Sequence, residues 1–240
     1  MATPGATHRD DGDDGAGPAA RRAVRRRDVA ESRWPMVAAL LTAACLTALL
    51  PGQLRFAPRF LVPGLELALL VALVVGDPGR IDQRDKWIRW ASLTLVSVLI
   101  LGALWATGLL IHELIEGKSA VANDPSKLLE SGSIVWLSNN IAFSLFYWDL
   151  DSGGSAARLH LAPRYPDLAF PQQLSPELAP PGWRPLFIDY LYLGFTNATA
   201  FSPTDVMPLA SWAKVAMTVQ SLVSLAILGL VVARAVNVFS

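Results

Sequence analysis

The chain has 240 residues, 52% of them hydrophobic, and a formal net charge of zero. The balanced charge leaves no global basic field, so no nucleic-acid partner is expected. One cysteine (Cys45) and three scattered histidines (His8, His112, His160) exclude an intrachain disulfide framework and a Cys/His metal set, and no cofactor is expected. There is no Walker loop, GxGxxG or HExxH. The one acid-base grouping, Asp149 and Asp151 near His160, reads as a solvated loop, so the chain is not expected to be an enzyme.

The apolar residues fall into long blocks nearly free of charge, the pattern of membrane helices. Residues 1–33 come first. They are rich in Gly, Ala and Asp, then in arginine, with seven arginines in all, and are expected to form a disordered basic tail in the cytoplasm. Residues 34–115 read as a three-helix membrane segment. Its blocks are Trp34–Leu50, Leu61–Gly76 and Ile88–Ile111. Arg55 and Arg59 lie in the first connection, and Arg80, Arg84, Lys86 and Arg89 in the second. Glu66 lies inside the second block. An intramembrane carboxyl suggests function, and the alternative is a group near the interface that snorkels or pairs with Arg59. Trp87 and Trp90 stand at the entry of the third block, as interfacial aromatics do.

Residues 116–184 are polar and proline-rich, with a weaker apolar block at 133–148. Asn139 and Asn140 sit at its middle. It is expected either to span, with the asparagines satisfied across a helix interface, or to be re-entrant or interfacial. Residues 149–184 have no helical period and read as a structured loop or lid. Residues 185–240 are read as the part around which the chain is organised. An apolar-aromatic segment, Leu186–Phe201, runs into the polar turn Ser202-Pro203-Thr204-Asp205, and a long apolar helix pattern covers Leu209–Val238.

In that last part Ala198-Thr199, then Asp205, Pro208, Trp212 and Lys214 fall at the positions of a known pattern. The stretch 186–238 resembles the pore module of the potassium channel family: pore helix, selectivity filter, inner helix. Where that family has T-V-G-Y-G, this chain has Ala200-Phe201-Ser202-Pro203-Thr204. The potassium filter needs glycines for left-handed backbone, and Pro203 restricts its own φ and the conformation of Ser202. Potassium selectivity is therefore not carried over. The resemblance implies an ion-channel-like pore protein with an atypical filter, a homo-oligomer in membrane lipid that passes inorganic cations. Thr199 to Asp205 would form the constriction, with Asp205 as either a mouth charge or a helix N-cap. Ser221 and Ser224 would line a cavity or act as interhelical glue. The alternative is a non-conducting membrane scaffold or accessory subunit. A looser likeness, through Asp189-Tyr190-Leu191-Tyr192 and Phe195-Thr196, is to small uncharacterised polytopic bacterial membrane proteins.

The expected fold class is all-α, a multi-pass protein of the cell membrane with its N-terminus in the cytoplasm by the distribution of Lys and Arg. Parity allows two counts. If neither 133–148 nor 186–201 spans, there are four spanning helices plus a re-entrant pore-like helix. If both span, there are six. The resemblance favours four, with the Ser202–Asp205 turn facing out and Arg234 in the cytoplasm.

Overall fold

A computed structural model describes residues 31–55, 57–76, 80–81, 86–117, 123–160, 165–180, 182–199 and 205–239. The expected basic tail, apart from Glu31, Ser32 and Arg33, and the filter-like residues Ala200, Phe201, Ser202, Pro203 and Thr204 lie outside the described residues. The rest is all-α, with two-residue strand pairs as fasteners.

Helix α1 (Trp34–Leu49) starts with proline in its first turn, where a missing N–H costs nothing. A short connection leads to α2 (Leu61–Gly76). Strand β1 (Glu31–Ser32) pairs antiparallel with β2 (Arg80–Ile81), so α1 begins where α2 ends. The connection between these helices is thus at the opposite end, where Leu54 is fully buried against Leu110 and Leu128. Helix α3 (Lys86–Glu116) runs the full length back and stops at Gly117, whose N–H bonds Glu113 O at 3.0 Å.

Helix α4 (Pro125–Leu150) is capped by Asp124, which accepts from Ser126 N at 2.9 Å and Lys127 N at 3.3 Å. Fifteen of its 26 residues are buried. Its neighbours are α1, α3 and the two helices that follow the loop, so it is the centre of the bundle. The last third of the chain packs round this helix and does not itself organise the fold. The turn after α4 takes positive φ at Ser152, Gly153 and Gly154. At Gly154 a Cβ would come within 2.8 Å of Arg89 Nη1, so glycine serves both the left-handed backbone and the close approach.

The region read as a lid holds two short helices, α5 (Ser155–His160) and α6 (Pro171–Leu174), and strand β3 (Leu168–Ala169). β3 pairs with β4 (Met207–Pro208), just before the last helix. Between them lies α7 (Phe187–Thr199), and the chain closes with α8 (Ser211–Phe239).

Two ends of the bundle are well defined. At one, Trp148 near the C-terminus of α4 donates to Glu31, and Arg89 near the start of α3 pairs with Asp149. At the other, Arg234 of α8 bonds Gly117 O at 3.3 Å and Asn123 Oδ1 at 2.8 Å. α1, α2, α3, α4 and α8 all run between these ends. α7 does not. It starts at the Glu31 end, runs beside the first half of α8, and stops at the level of Ser224. The five traversing helices put Glu31 and Arg234 at opposite ends. Of the two doubtful segments, the one in α4 runs the length of the bundle and the one in α7 does not.

Candidate functional site

The polar side chains of the interior gather on the seam between α4, α7 and α8. Gln220 of α8 is its hub and is 1% exposed. Its Oε1 accepts from Tyr147 OH of α4 at 2.8 Å and from Asn197 Nδ2 of α7 at 2.7 Å. Its Nε2 donates to Gly194 O at 2.9 Å. Asn197 Nδ2 also donates to Met217 O at 3.0 Å, and Asn197 Oδ1 accepts from Ser221 Oγ at 3.1 Å. Ser224 Oγ donates to Ala198 O and accepts from Trp136 Nε1 at 2.5 Å.

The seam closes because α7 approaches α4 without a side chain in the way. A Cβ at Gly194 would lie 2.1 Å from Ser144 Oγ and 3.3 Å from Asn140 Oδ1. Small residues at such crossings let polar groups on two helices meet. Asn140, Ser144 and Tyr147 share one face of α4 by four-and-three spacing. Next to them, Asn139 Nδ2 bonds Thr107 Oγ1 of α3 at 2.7 Å, across the helix interface. Asn139 Oδ1 and Asn140 Nδ2 are buried without a hydrogen-bond partner within the protein.

The Glu31 end carries the buried charges. Arg89 Nη1 bonds Asp149 Oδ1 at 2.8 Å and Asp149 O at 2.7 Å, and Ser92 Oγ adds a bond of 2.9 Å. Asp151 accepts from Tyr190 OH at 2.5 Å, from Ser152 Oγ at 3.0 Å and from Leu168 N at 3.3 Å. Arg158 lies over the Tyr190 ring, 4.9 Å from its centroid, and donates to Asp151 O at 2.6 Å. Glu31 accepts from Phe187 N, the first residue of α7, and from Trp148 Nε1. Burial pushes its carboxyl above the usual range, against the pull of these bonds and of Arg158 and Arg184. The Asp149/Asp151 pair is thus a structural clamp under the lid, each carboxylate with its own partner. The side chain of His160 lies outside the described residues.

The expected site residues are distributed as follows. Thr199 ends α7 with its hydroxyl bonded to Thr196 O at 2.9 Å. Asp205 is exposed, two residues before β4, at the Glu31 end. Ser221 and Ser224 both tie α8 to α7. No motif in the sequence marks Gln220 or Tyr147. Their signal was the polar face on α4, which matches the Gly194/Asn197 spacing on α7.

Two helices are long and apolar enough to cross a membrane, Trp87–Glu116 and Ser211–Arg234. Only 39% and 28% of their most apolar stretches are buried, unlike the core helices of a soluble protein. α1 and α2 are apolar but shorter, and α4 is too polar to qualify. The class defined by these elements is an all-α bundle with an apolar exterior on its longest helices and a hydrogen-bonded interior. No protein-family model, curated protein or solved structure matches the chain.

Proposed function

We propose that this is an integral membrane protein and an ion-channel-like pore protein with an atypical filter, built round a re-entrant half-helix. The observation that carries the reading is the course of α7. It enters from the Glu31 end, stops at mid-bundle, and by Asp205–Pro208 the chain is back at its entry end. Thirteen residues of α helix rise about 20 Å, and α7 ends at the level of Ser224, whereas α1 and α2, at 16 residues each, run from one end of the bundle to the other. The C-terminal, negative end of the α7 dipole points into the bundle, which favours cations.

In this reading five helices cross the bilayer, and the exposed Leu101, Trp105, Leu222, Leu225, Val232 and Val236 of α3 and α8 face lipid. The basic residues before Trp34 and between α2 and α3 put the Glu31 end in the cytoplasm. Asp205 is then cytoplasmic and Arg234 external, the reverse of their expected sides. Among the described residues one copy encloses no path, so conduction requires a homo-oligomer.

Reconstitution into liposomes tests this reading. Cation flux above that of protein-free vesicles, lost on replacing Asn197 by leucine, is the expected result. Vesicles that hold folded protein and pass no cations over a range of salts and voltages would end it. One observation favours a second reading, a non-conducting scaffold or accessory subunit. Gln220, Asn197, Ser221 and Ser224 satisfy one another, so none of these four is left to offer a solute, and Asn140 Nδ2 is the unpaired atom beside them. Absent flux together with an intact, stable seam is its signature.

A further inference from the structure

On the face of α4 away from the seam, a cavity of about 50 Å³ lies between α1, α2, α3 and α4. Small residues leave the room, with Ala43 on α1 and Gly102, Ala103 and Ala106 on α3. Its polar lining is Thr47, Glu66 and Ser138, and Arg55 and Arg59 stand at the connection between α1 and α2. A water needs roughly 10–15 Å³ measured this way, so the space holds about three.

Glu66 is 4% exposed, and its Oε2 has no hydrogen-bond partner. Its neighbour is the Thr47 hydroxyl. That hydroxyl spends its only proton on Ala43 O, at 2.9 Å. Its oxygen can then only accept, and the carboxyl completes the bond when it carries a proton itself. Neither nearby guanidinium forms an ion pair with Glu66. Arg55 Nε donates to Leu50 O at 2.6 Å, and Arg59 Nε to Ala48 O at 3.2 Å. Arg59 also lies over the Phe60 ring. The ion pair with Arg59 considered from sequence is therefore replaced by a carbonyl contact. Among the described residues, Arg55 and Arg59 are the charged groups that line the cavity, and the walls from α1, α3 and α4 bring no other titratable group.

A metal cation does not suit this site. Hard cations take about six or more oxygens, and three side chains here offer oxygen behind two guanidinium groups. A proton needs one oxygen and passes along water. We infer that Glu66 and its cavity form a proton-binding site that exchanges with the Arg55/Arg59 end through cavity water. The site is separate from the α7 seam, and its test does not depend on conduction.

Dicyclohexylcarbodiimide is the probe, because it partitions into apolar cavities and reacts with the protonated carboxyl. The whole reagent adds and rearranges to a stable N-acylurea, with no leaving group. With the full chain in detergent micelles, intact mass and peptide mapping should find one adduct, at Glu66. Labelling should fall as pH rises and be absent in Glu66→Gln. A water-soluble carbodiimide with an amine should modify the exposed Glu116 and Glu130 and spare Glu66. Ser138→Leu, which fills the cavity, should slow labelling severalfold while the thermal midpoint holds. No adduct at Glu66 at any pH in the folded protein would overturn the proposal, as would labelling independent of pH or unaffected by Ser138→Leu.

Discussion

α8 and α4 are similar in length and opposite in character. α8 is apolar along most of its length and keeps Val215, Leu222, Leu225, Val232 and Val236 exposed. α4 carries Asn139, Asn140, Ser131 and Ser144, all buried. The more polar helix is the inner one. In water the hydrophobic effect would put the apolar helix inside. Where the surroundings are lipid that drive vanishes, and helices associate through close packing and hydrogen bonds between polar groups. α8 follows the same rule on its narrow inner face, where Gln220 and Ser224 meet α7 and α4.

The comparison breaks most completely at Gly194. Gly194→Ala puts a methyl into Ser144 Oγ, and overpacking of this kind costs about 1–3 kcal/mol or more. Thermal unfolding in detergent should show the largest loss here. Ser144→Gly in the same chain should restore most of it, since the colliding atom is gone, and absence of rescue would mean that α7 does not pack on α4 as described. Next comes Gln220→Leu, which takes the partner from Tyr147 OH and Gly194 O. Unmet buried groups cost about 1–3 kcal/mol, and a double-mutant cycle with Asn197→Ala should give coupling of about 0.6–2 kcal/mol. Leu222→Ala, on the exposed face of the same helix, is the control and should stay within about 0.5 kcal/mol.

A smaller loss is expected from Arg89→Ala, which leaves the buried Asp149 carboxylate with Ser92. Arg89 is about one-third exposed, so about 1–2 kcal/mol is expected, less than for a fully buried pair. The smallest effect concerns pH. Glu31 titrates higher in the folded protein than the 4.5 of the free side chain. The folded state therefore holds a proton that the unfolded chain has released. This contribution to stability is present below 4.5 and fades as pH rises toward the folded value. Glu31→Gln should flatten that part of the unfolding midpoint against pH, and an unchanged slope would reassign it.

Much of the helix layout was legible in sequence. Charge-free blocks and their flanking residues located α1, α2, α3 and α8 to within a few residues, because an apolar run of that length has few alternatives. Pro185 and the aromatic run mark α7, whereas the Asp124 cap that opens α4 lies in a stretch read only as polar. The span of α4 was harder to read. Its buried face is polar, so hydropathy shows only the weak block 133–148 within its 26 residues. The extent of α4 is underestimated for this reason.

What the sequence alone determined is the all-α class, the apolar exterior and the basic end, since these follow from composition and local period. The tertiary structure decided which segments run the length of the bundle. A segment's depth depends on its partners: Gly194 lets α7 meet Ser144, Gln220 joins three helices, and β3 draws the chain after α7 back to its starting end. It also decided that Glu66 faces a cavity and that Arg59 bonds Ala48 O. Such pairings join residues far apart in the chain, so no local pattern encodes them.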